Sequence, residues 1–316
     1  MKKRIEAIYP LSPQQQGMLF ETLYAPDSGI HVEQVVCALR EQLDPTIFKL
    51  ALQRLVERHS ILRTAFVWKD QDEPYQVILQ QVEVPIEHQD WRTYPQTEHQ
   101  ERLEAYLETD RRRGFELSKA PLMRLSLVQI DEHHYYFVWT CHHILMDGWC
   151  EPLLIKEFLS FYQALRTGQE LQLPPCCSYS DYLLWLKKQD LTEAELFWRK
   201  TLENFTSPTQ LGIATMATLL DQQERYGEQK FHLSAQETAA LQSLAQLQRV
   251  TLNTILQAVW ALLLSRYSNT LDVVFGITVS GRPADLVGVD SLIGLFINTL
   301  PIRIKLSAER LFCDWL

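Results

Sequence analysis

Apolar positions along the chain switch repeatedly between a period of two and a period near 3.6, which predicts strands alternating with helices. The first helix is expected from Ser12, where Pro13 and Gln15 complete a capping-box pattern ahead of Met18, Leu19 and Phe20. A strand over 31–39 follows, then a helix opened by Asp44-Pro45 with Phe48, Leu52, Leu55 and Val56 on one face. Strands are expected over 63–68 and 75–82, joined by the polar turn KDQDEP, and a helix over 97–113. Two further strands, 122–130 and 135–140, lead to a helix over 151–166 that carries Leu154, Phe158 and Phe161 and stops at Gly168. Residues 168–178, GQELQLPPCCS, combine Pro174-Pro175 with no periodicity, so the domain boundary is placed there, between 1–175 and 176–316. Beyond it the pattern predicts helices over 180–188 and 192–202, an irregular stretch over 206–216 and a strand over 228–233. A capping box from Ser234 to Glu237 then opens a helix, an apolar helix starts at Leu252, and strands over 272–279 and 299–305 flank the loop SGRPADLVGVD. Alternation in both halves predicts an α/β sandwich.

Composition narrows the picture. At 316 residues the chain exceeds what one core usually holds, and 46% hydrophobic with 22% charged residues is globular. A balance of 30 basic to 39 acidic residues, net −9, argues against nucleic acid as a partner. The one basic run, Arg111 to Arg113 before Gly114, reads as favourable charge at a helix C-terminus. The helix from Leu252 is interrupted by Asn253, Thr254 and Gln257, so no membrane span is expected. Six cysteines without a CxxC, and no secretory leader, lead to the expectation of a reduced, cytoplasmic protein.

The candidate chemistry lies in WTCHHILMDGWC, Trp139 to Cys150, where a strand end meets a helix start. Side chains at such a junction project from a rigid sheet edge. Successive side chains on an extended backbone alternate, so His142 and His143 are expected to face opposite ways, one doing chemistry and the other supporting it. The other pair, His133 and His134 in the turn DEHH, reads as a chance pair. No third or fourth ligand recurs at a zinc-like spacing, so no metal site is expected. There is no G-x-S-x-G elbow or P-loop to anchor a serine-hydrolase or nucleotide reading.

The order HHxxxDG resembles the signature of the chloramphenicol-acetyltransferase-like superfamily, and most closely that of nonribosomal peptide synthetase condensation domains. Five further blocks are similar to that family's in the same order: YPLSPQQQGMLF near the start, RHSILRTAF at Arg58 to Phe66, YSDYLLW at Tyr179 to Trp185, VSGRP at Val279 to Pro283, and IGLFINTLPIR at Ile293 to Arg303. The resemblance implies two acetyltransferase-like lobes set in a V, with HHxxxDG at the seam of a channel. The chain stops at Leu316, soon after the last block, so the second lobe is expected to be incomplete, as a fragment or a truncated gene.

What the resemblance implies for activity is peptide-bond formation between a donor thioester and an acceptor amine. Both arrive on 4'-phosphopantetheine arms of upstream and downstream peptidyl carrier domains, with an adenylation domain adjacent, no cofactor bound directly, and a monomeric protein. His143 matches the motif histidine that acts on the amine, as base or positioner, with His142 beside it. Asp147 matches the aspartate that forms an internal salt bridge, with Arg282 the first choice of partner and Arg63 the second. Gly148 is implied to bring its N–H near the thioester carbonyl, and Asn298, Ser280 and Trp149 to lie along the channel. Trp149, Tyr179 and Trp185 also read as packing residues. The opening Leu11-Ser12-Pro13 with Gly17 to Phe20, and the core HHILMDGWC, resemble domains that take a donor with a D-configured terminal residue and an L acceptor. Gln14 and Glu21 depart from that pattern. The rival readings are an epimerisation domain, an acyltransferase acting on CoA esters, and a non-catalytic remnant.

Overall fold

The computed structural model describes residues 4–26, 28–211, 229–307, 309 and 315. They fall into two compact units, residues 1–189 with 280–298 and residues 190–279 with 299–316.

The first unit is organised on β7 (His134–His142), a strand covered on both faces. Phe137, Trp139 and Cys141 enter the main core with α2 (Pro45–Arg58) and α4 (Cys150–Thr167), where the Phe48 ring centroid lies 5.3 Å from Phe137 and 4.8 Å from Phe158. On the opposite face, Val138 packs with Trp91, Val128 and Leu103 of α3 (His99–Arg113). Double coverage is why YYFVWTC reads as a nearly continuous apolar run. The sheet runs β2 (Val32–Arg40), β7, β6 (Met123–Gln129), β5 (Ile86–Asp90); only β5 and β6 pair in parallel. A second, antiparallel sheet has the order β1 (Ile5–Pro10), β4 (Tyr75–Leu79), β3 (Thr64–Val67). Neither β1 nor β5 is among the expected strands. Both are edge strands; β5, IEHQD, is largely polar, and β1, IEAIYP, is short and mostly exposed without a strict apolar alternation.

The helix starts follow their sequence signals. Ser12 Oγ accepts from Gln15 N at 3.2 Å and Gln15 Oε1 accepts from Ser12 N at 3.0 Å, closing the capping box of α1 (Pro13–Tyr24). Gly168 ends α4 at φ +67, the left-handed cap that glycine adopts without steric cost.

The expected boundary at 175 is corrected. Helix α5 (Tyr179–Lys187) lies past it, yet Tyr179, Tyr182 and Leu183 are buried in the first unit's core, which continues to Gln189. Pro174-Pro175 is a connector inside that unit, tied to α2 by a bond from Arg58 Nη2 to Pro174 O. Proline marks a break in periodicity; which core the next helix joins depends on contacts that a local pattern does not contain.

The second unit contains α6 (Thr192–Thr201), α7 (Ala235–Gln248), α8 (Leu252–Ser268) and the paired strands β8 (Asp272–Val279) and β9 (Asn298–Lys305). Ala261, Leu264 and Val273 form its core with Phe275 and Ile304 against them. Of the strand expected over 228–233, the described part 229–233 is not a strand, and Phe231 is 81% exposed; an apolar alternation without a pairing partner does not make one. The expected irregular stretch is irregular over 206–211, and 212–216 lie outside the described residues. Helices packed with sheets in both units make the class α/β, as expected. Among the described residues no single helix is long and apolar enough to cross a membrane; α7 and α8 qualify only as a pair, bent by 99°.

Candidate active site

The register of β2 against β7 pairs Val32 with His142, so the first histidine is still held in the sheet, while His143 N donates to His31 O at 2.7 Å just beyond it. The chain then turns through Ile144 to Met146, all buried, before α4 begins at Cys150.

The two imidazoles are fixed in opposite tautomers. His142, 1% exposed, accepts from Ile144 N at Nδ1 (3.1 Å), so Nε2 bears the proton and donates to Thr22 Oγ1 (3.1 Å). Burial, with His31 and His143 nearby, lowers its pKa to about 3, and the ring is neutral at pH 7. His143 is half-buried, and its Nδ1 donates to Met146 O at 2.7 Å, which leaves Nε2 as the lone-pair nitrogen of the neutral ring. One ring has both nitrogens committed inside the fold, and the other has no hydrogen bond on Nε2 among the described residues. Glu151, in the first turn of α4, has its pKa raised by burial and by Glu33, with His143 opposing.

Asp147 is 1% exposed in its side chain and Arg282 4%. Arg282 Nη2 donates to Asp147 Oδ1 at 3.5 Å, while Asp147 Oδ2 accepts two shorter bonds, from Phe296 N at 2.9 Å and Ile297 N at 3.1 Å. Arg282 in turn donates through Nη1 to Val289 O and Leu292 O and lies 4.1 Å over the Phe296 ring. The pair is therefore a clamp between backbone segments, with the carboxylate holding 296–297 and the guanidinium holding 289–292. Arg63, the second choice of partner, is a correction. It is buried elsewhere, with Nη1 donating to Glu6 Oε2 at 2.6 Å and to Leu79 O, and Nε to Val56 O at 3.1 Å. The RHSILRTAF block gives no sign of that direction, because β1, which supplies Glu6, carries no readable period.

The remaining site residues fall around this clamp. Gly148 is exposed, and a Cβ there would meet nothing within 4 Å, so the fold itself does not require glycine at this position. Gly281 is the opposite case: its φ is +62 and a Cβ would stand 1.8 Å from Phe296 O, so VSGRP needs glycine to let the two segments touch. Trp149 is 51% exposed, its Nε1 donating to Asp290 O at 3.0 Å, and so stands at the rim of the packing. Ser280 is exposed; Asn298, partly buried, accepts from Gln14 Nε2. Tyr179 is buried and donates to Leu295 O at 2.7 Å, as its packing reading requires, and Trp185 Nε1 donates to Asp285 Oδ2 at 3.0 Å.

Two functional supports carry no sequence signal of their own. Cys150 Sγ, buried and with its pKa pushed up to about 11 by burial and Asp147, donates to Gly294 O at 3.2 Å. Gln15 Nε2 donates to Ile144 O at 3.2 Å and its Oε1 accepts from Gln76 Nε2 at 2.9 Å, which anchors the turn after the histidines to α1 and β4. Blocks spread from residue 12 to residue 298 are thereby gathered on one turn.

A family model described as Condensation domain matches residues 5–316. The chain belongs to the condensation-domain family. It is 45% identical over 314 residues to a linear gramicidin synthase protein of Brevibacillus parabrevis, covering 99% of this chain and 6% of that protein. Against another protein of the same synthase the identity is 41%, with 99% and 4% covered, and against bacitracin synthase 3 of Bacillus licheniformis 39%, with 99% and 5% covered. The chain thus spans 4–6% of the length of these relatives. Among solved structures, the first condensation domain of the calcium-dependent antibiotic synthetase in complex with a substrate analogue superposes with a TM-score of 0.79 at 16% identity, covering 98% of this chain and 72% of that one. A four-domain nonribosomal peptide synthetase bound to AMP and glycine gives 0.81 at 20% identity, covering 98% and 23%. These likenesses establish the fold.

Proposed function

We propose that the chain joins a donor acyl group, held as a thioester on one carrier's phosphopantetheine arm, to the amine of an aminoacyl group held on a second carrier. The observation that carries this reading is the tautomer of His143, a ring whose Nδ1 is committed to Met146 O and whose Nε2 is left able to accept from an amine. The attacking nitrogen bonds to the thioester carbonyl carbon, the C–S bond breaks, and the surplus proton passes by way of Nε2 to the departing thiolate. An α-amine has an ordinary pKa of about 8, so a useful fraction is neutral without a strong base, and positioning supplies much of the rate. Gly148 and its open surroundings give the carbonyl oxygen a close approach to backbone. Asn298 is assigned to the acceptor, and Ser280 and the exposed Trp149 to the substrate channel. The carriers are the upstream and downstream peptidyl carrier domains of a synthetase, with an adenylation domain adjacent.

The finer reading is a donor ending in a D residue, supported by the opening LSP and GMLF and by the core HHILMDGWC. The two departures from that pattern are both engaged, Gln14 with Asn298 and Glu21 with His31 at 2.7 Å. Exchange of hydrogen and side chain at one carbon is sensed by a close-walled pocket through clash. The test supplies two carriers, one loaded with the L or the D donor and one with an L acceptor, and measures the dipeptidyl thioester by mass spectrometry. Dipeptide from the D donor in clear excess supports both readings. Dipeptide mainly from the L donor removes the D-donor reading, and solvent deuterium entering the donor α-carbon without dipeptide removes condensation in favour of epimerisation.

A further inference from the structure

Away from the histidine turn, the first unit holds a second group of histidine, carboxylate, cysteine and arginine. His59 caps α2 in extended backbone, and its side chain is 3% exposed. Its Nε2 meets Glu157 Oε2, on α4, at 2.7 Å, and its Nδ1 meets Cys176 Sγ at 3.2 Å, with Cys177 O a second acceptor 3.3 Å from the sulfur. Arg58 Nε donates to the same Glu157 oxygen at 3.2 Å, and its Nη2 to Pro174 O. Ser60 Oγ and Ser178 Oγ stand 3.5 Å apart on the other side of the cysteine pair. The sulfur is therefore held on the imidazole by contacts before and after it in the chain, yet Cys176 is exposed.

The wiring has the order nucleophile, base, orienting carboxylate. A carboxylate can only accept, so Nε2 carries a proton toward Glu157 and Nδ1 is left to take the proton of the thiol. Burial pulls the His59 pKa down, but hydrogen bonds from Cys176 and Glu157 outweigh it and hold the ring above its ordinary value. The other described cysteines differ. Cys37, Cys141 and Cys150 have their pKa values raised by burial, and Cys177 Sγ lies beside Gly288, where an added Cβ would stand 2.9 Å from it.

We propose that Cys176 is a nucleophilic thiol, with His59 as its base and Glu157 as a positioning residue, and that its target is the electrophilic sulfur of a small-molecule disulfide. In the exchange, Cys176 Sγ bonds to one sulfur of the reagent as the S–S bond breaks. His59 Nδ1 takes the thiol proton and delivers it to the departing thiolate, so Cys176 is oxidised and half of the reagent reduced. This reaction needs no oxyanion site, and the cluster contains donors and acceptors for protons only. The Cys176 to His59 contact is given up in the product, which frees the 174–178 connector from one of its ties.

The test exposes the folded protein to limiting glutathione disulfide and maps the mixed disulfides by mass spectrometry over time. Cys176 is expected to react at least about tenfold faster than Cys177 or Cys37, with the preference lost in urea. Glu157→Gln keeps an acceptor but not the charge; it is expected to slow Cys176 about tenfold and move its rate–pH profile upward, leaving Cys37 unchanged. His59→Asn is expected to slow it by about 100-fold, the lower range for a lost general base. Circular dichroism checks that each variant is folded, and if His59→Asn is not, Glu157→Gln decides. Equal rates at Cys176 and Cys177, or an unchanged Cys176 rate in folded Glu157→Gln, would overturn the proposal.

Discussion

The histidine turn and the His59 cluster use the same residue types with opposite wiring. Each has an imidazole almost wholly buried, a carboxylate, an arginine and a cysteine. At the turn, the carboxylate of Asp147 is spent on two backbone N–H groups and Arg282, so His142 has no anion and burial lowers its pKa to about 3. In the cluster, Glu157 lies on the imidazole, and His59, also buried, is held above its ordinary value. Burial sets the direction of a histidine pKa only when no partner answers it. Cysteine follows the same logic: Cys150 is shut in the core beside the Asp147 carboxylate, while Cys176 faces an imidazole at the surface.

The largest expected effect separates the two carboxylates. Asp147→Ala leaves Arg282 and two buried N–H groups without their partner and is expected to cost about 3–5 kcal/mol in urea unfolding. Glu157→Ala removes a partly exposed partner and is expected to cost about 1–2 kcal/mol. Equal costs would mean that the backbone clamp is no stronger than the surface cluster.

Next comes pH. The folded-state pKa of His142 lies below its unfolded value of about 6.5, so its neutral burial favours folding above that value. That contribution fades as pH falls toward 3, each unit being worth about 1.4 kcal/mol. His59 runs the other way: a raised pKa stabilises below the unfolded value and is lost as pH rises through the folded one. Urea midpoints should therefore rise less from pH 4 to 6.5 in His142→Gln, and fall less above pH 6.5 in His59→Gln, each relative to wild type. The same change of slope in both variants would contradict the contrast.

The smallest effect on stability is expected at Gly148. Gly148→Ala puts a methyl group into open space and should shift the unfolding free energy by less than about 0.5 kcal/mol, while the role proposed for its N–H at the thioester carbonyl predicts a lower dipeptide rate. Unchanged turnover would remove Gly148 from the site.

This contrast is legible in the sequence on one side only. Alternation along a strand separates His142 from His143, and the motif order singles out Asp147 and Arg282, because those residues lie at recognisable junctions. The sequence does not say that Asp147 holds the backbone of 296–297 more closely than it holds Arg282, since N–H groups have no residue identity. Arg63 and the boundary at 175 escape a local reading for a shared reason: their partners, Glu6 on a short edge strand and the core beneath α5, are distant in the chain. The His59 cluster joins residues 59, 157 and 176, and no spacing along the chain relates the three.

The central claim is that His143, by its tautomer, is the imidazole that serves the acceptor amine. It is tested most directly by single-turnover dipeptide formation with pre-loaded carriers, comparing wild type with His143→Ala. The rate is expected to fall about 10² to 10⁴-fold with the thermal unfolding transition unmoved, because the half-buried ring contributes little to the core. A folded His143→Ala protein that forms dipeptide at a near-wild-type rate would contradict it.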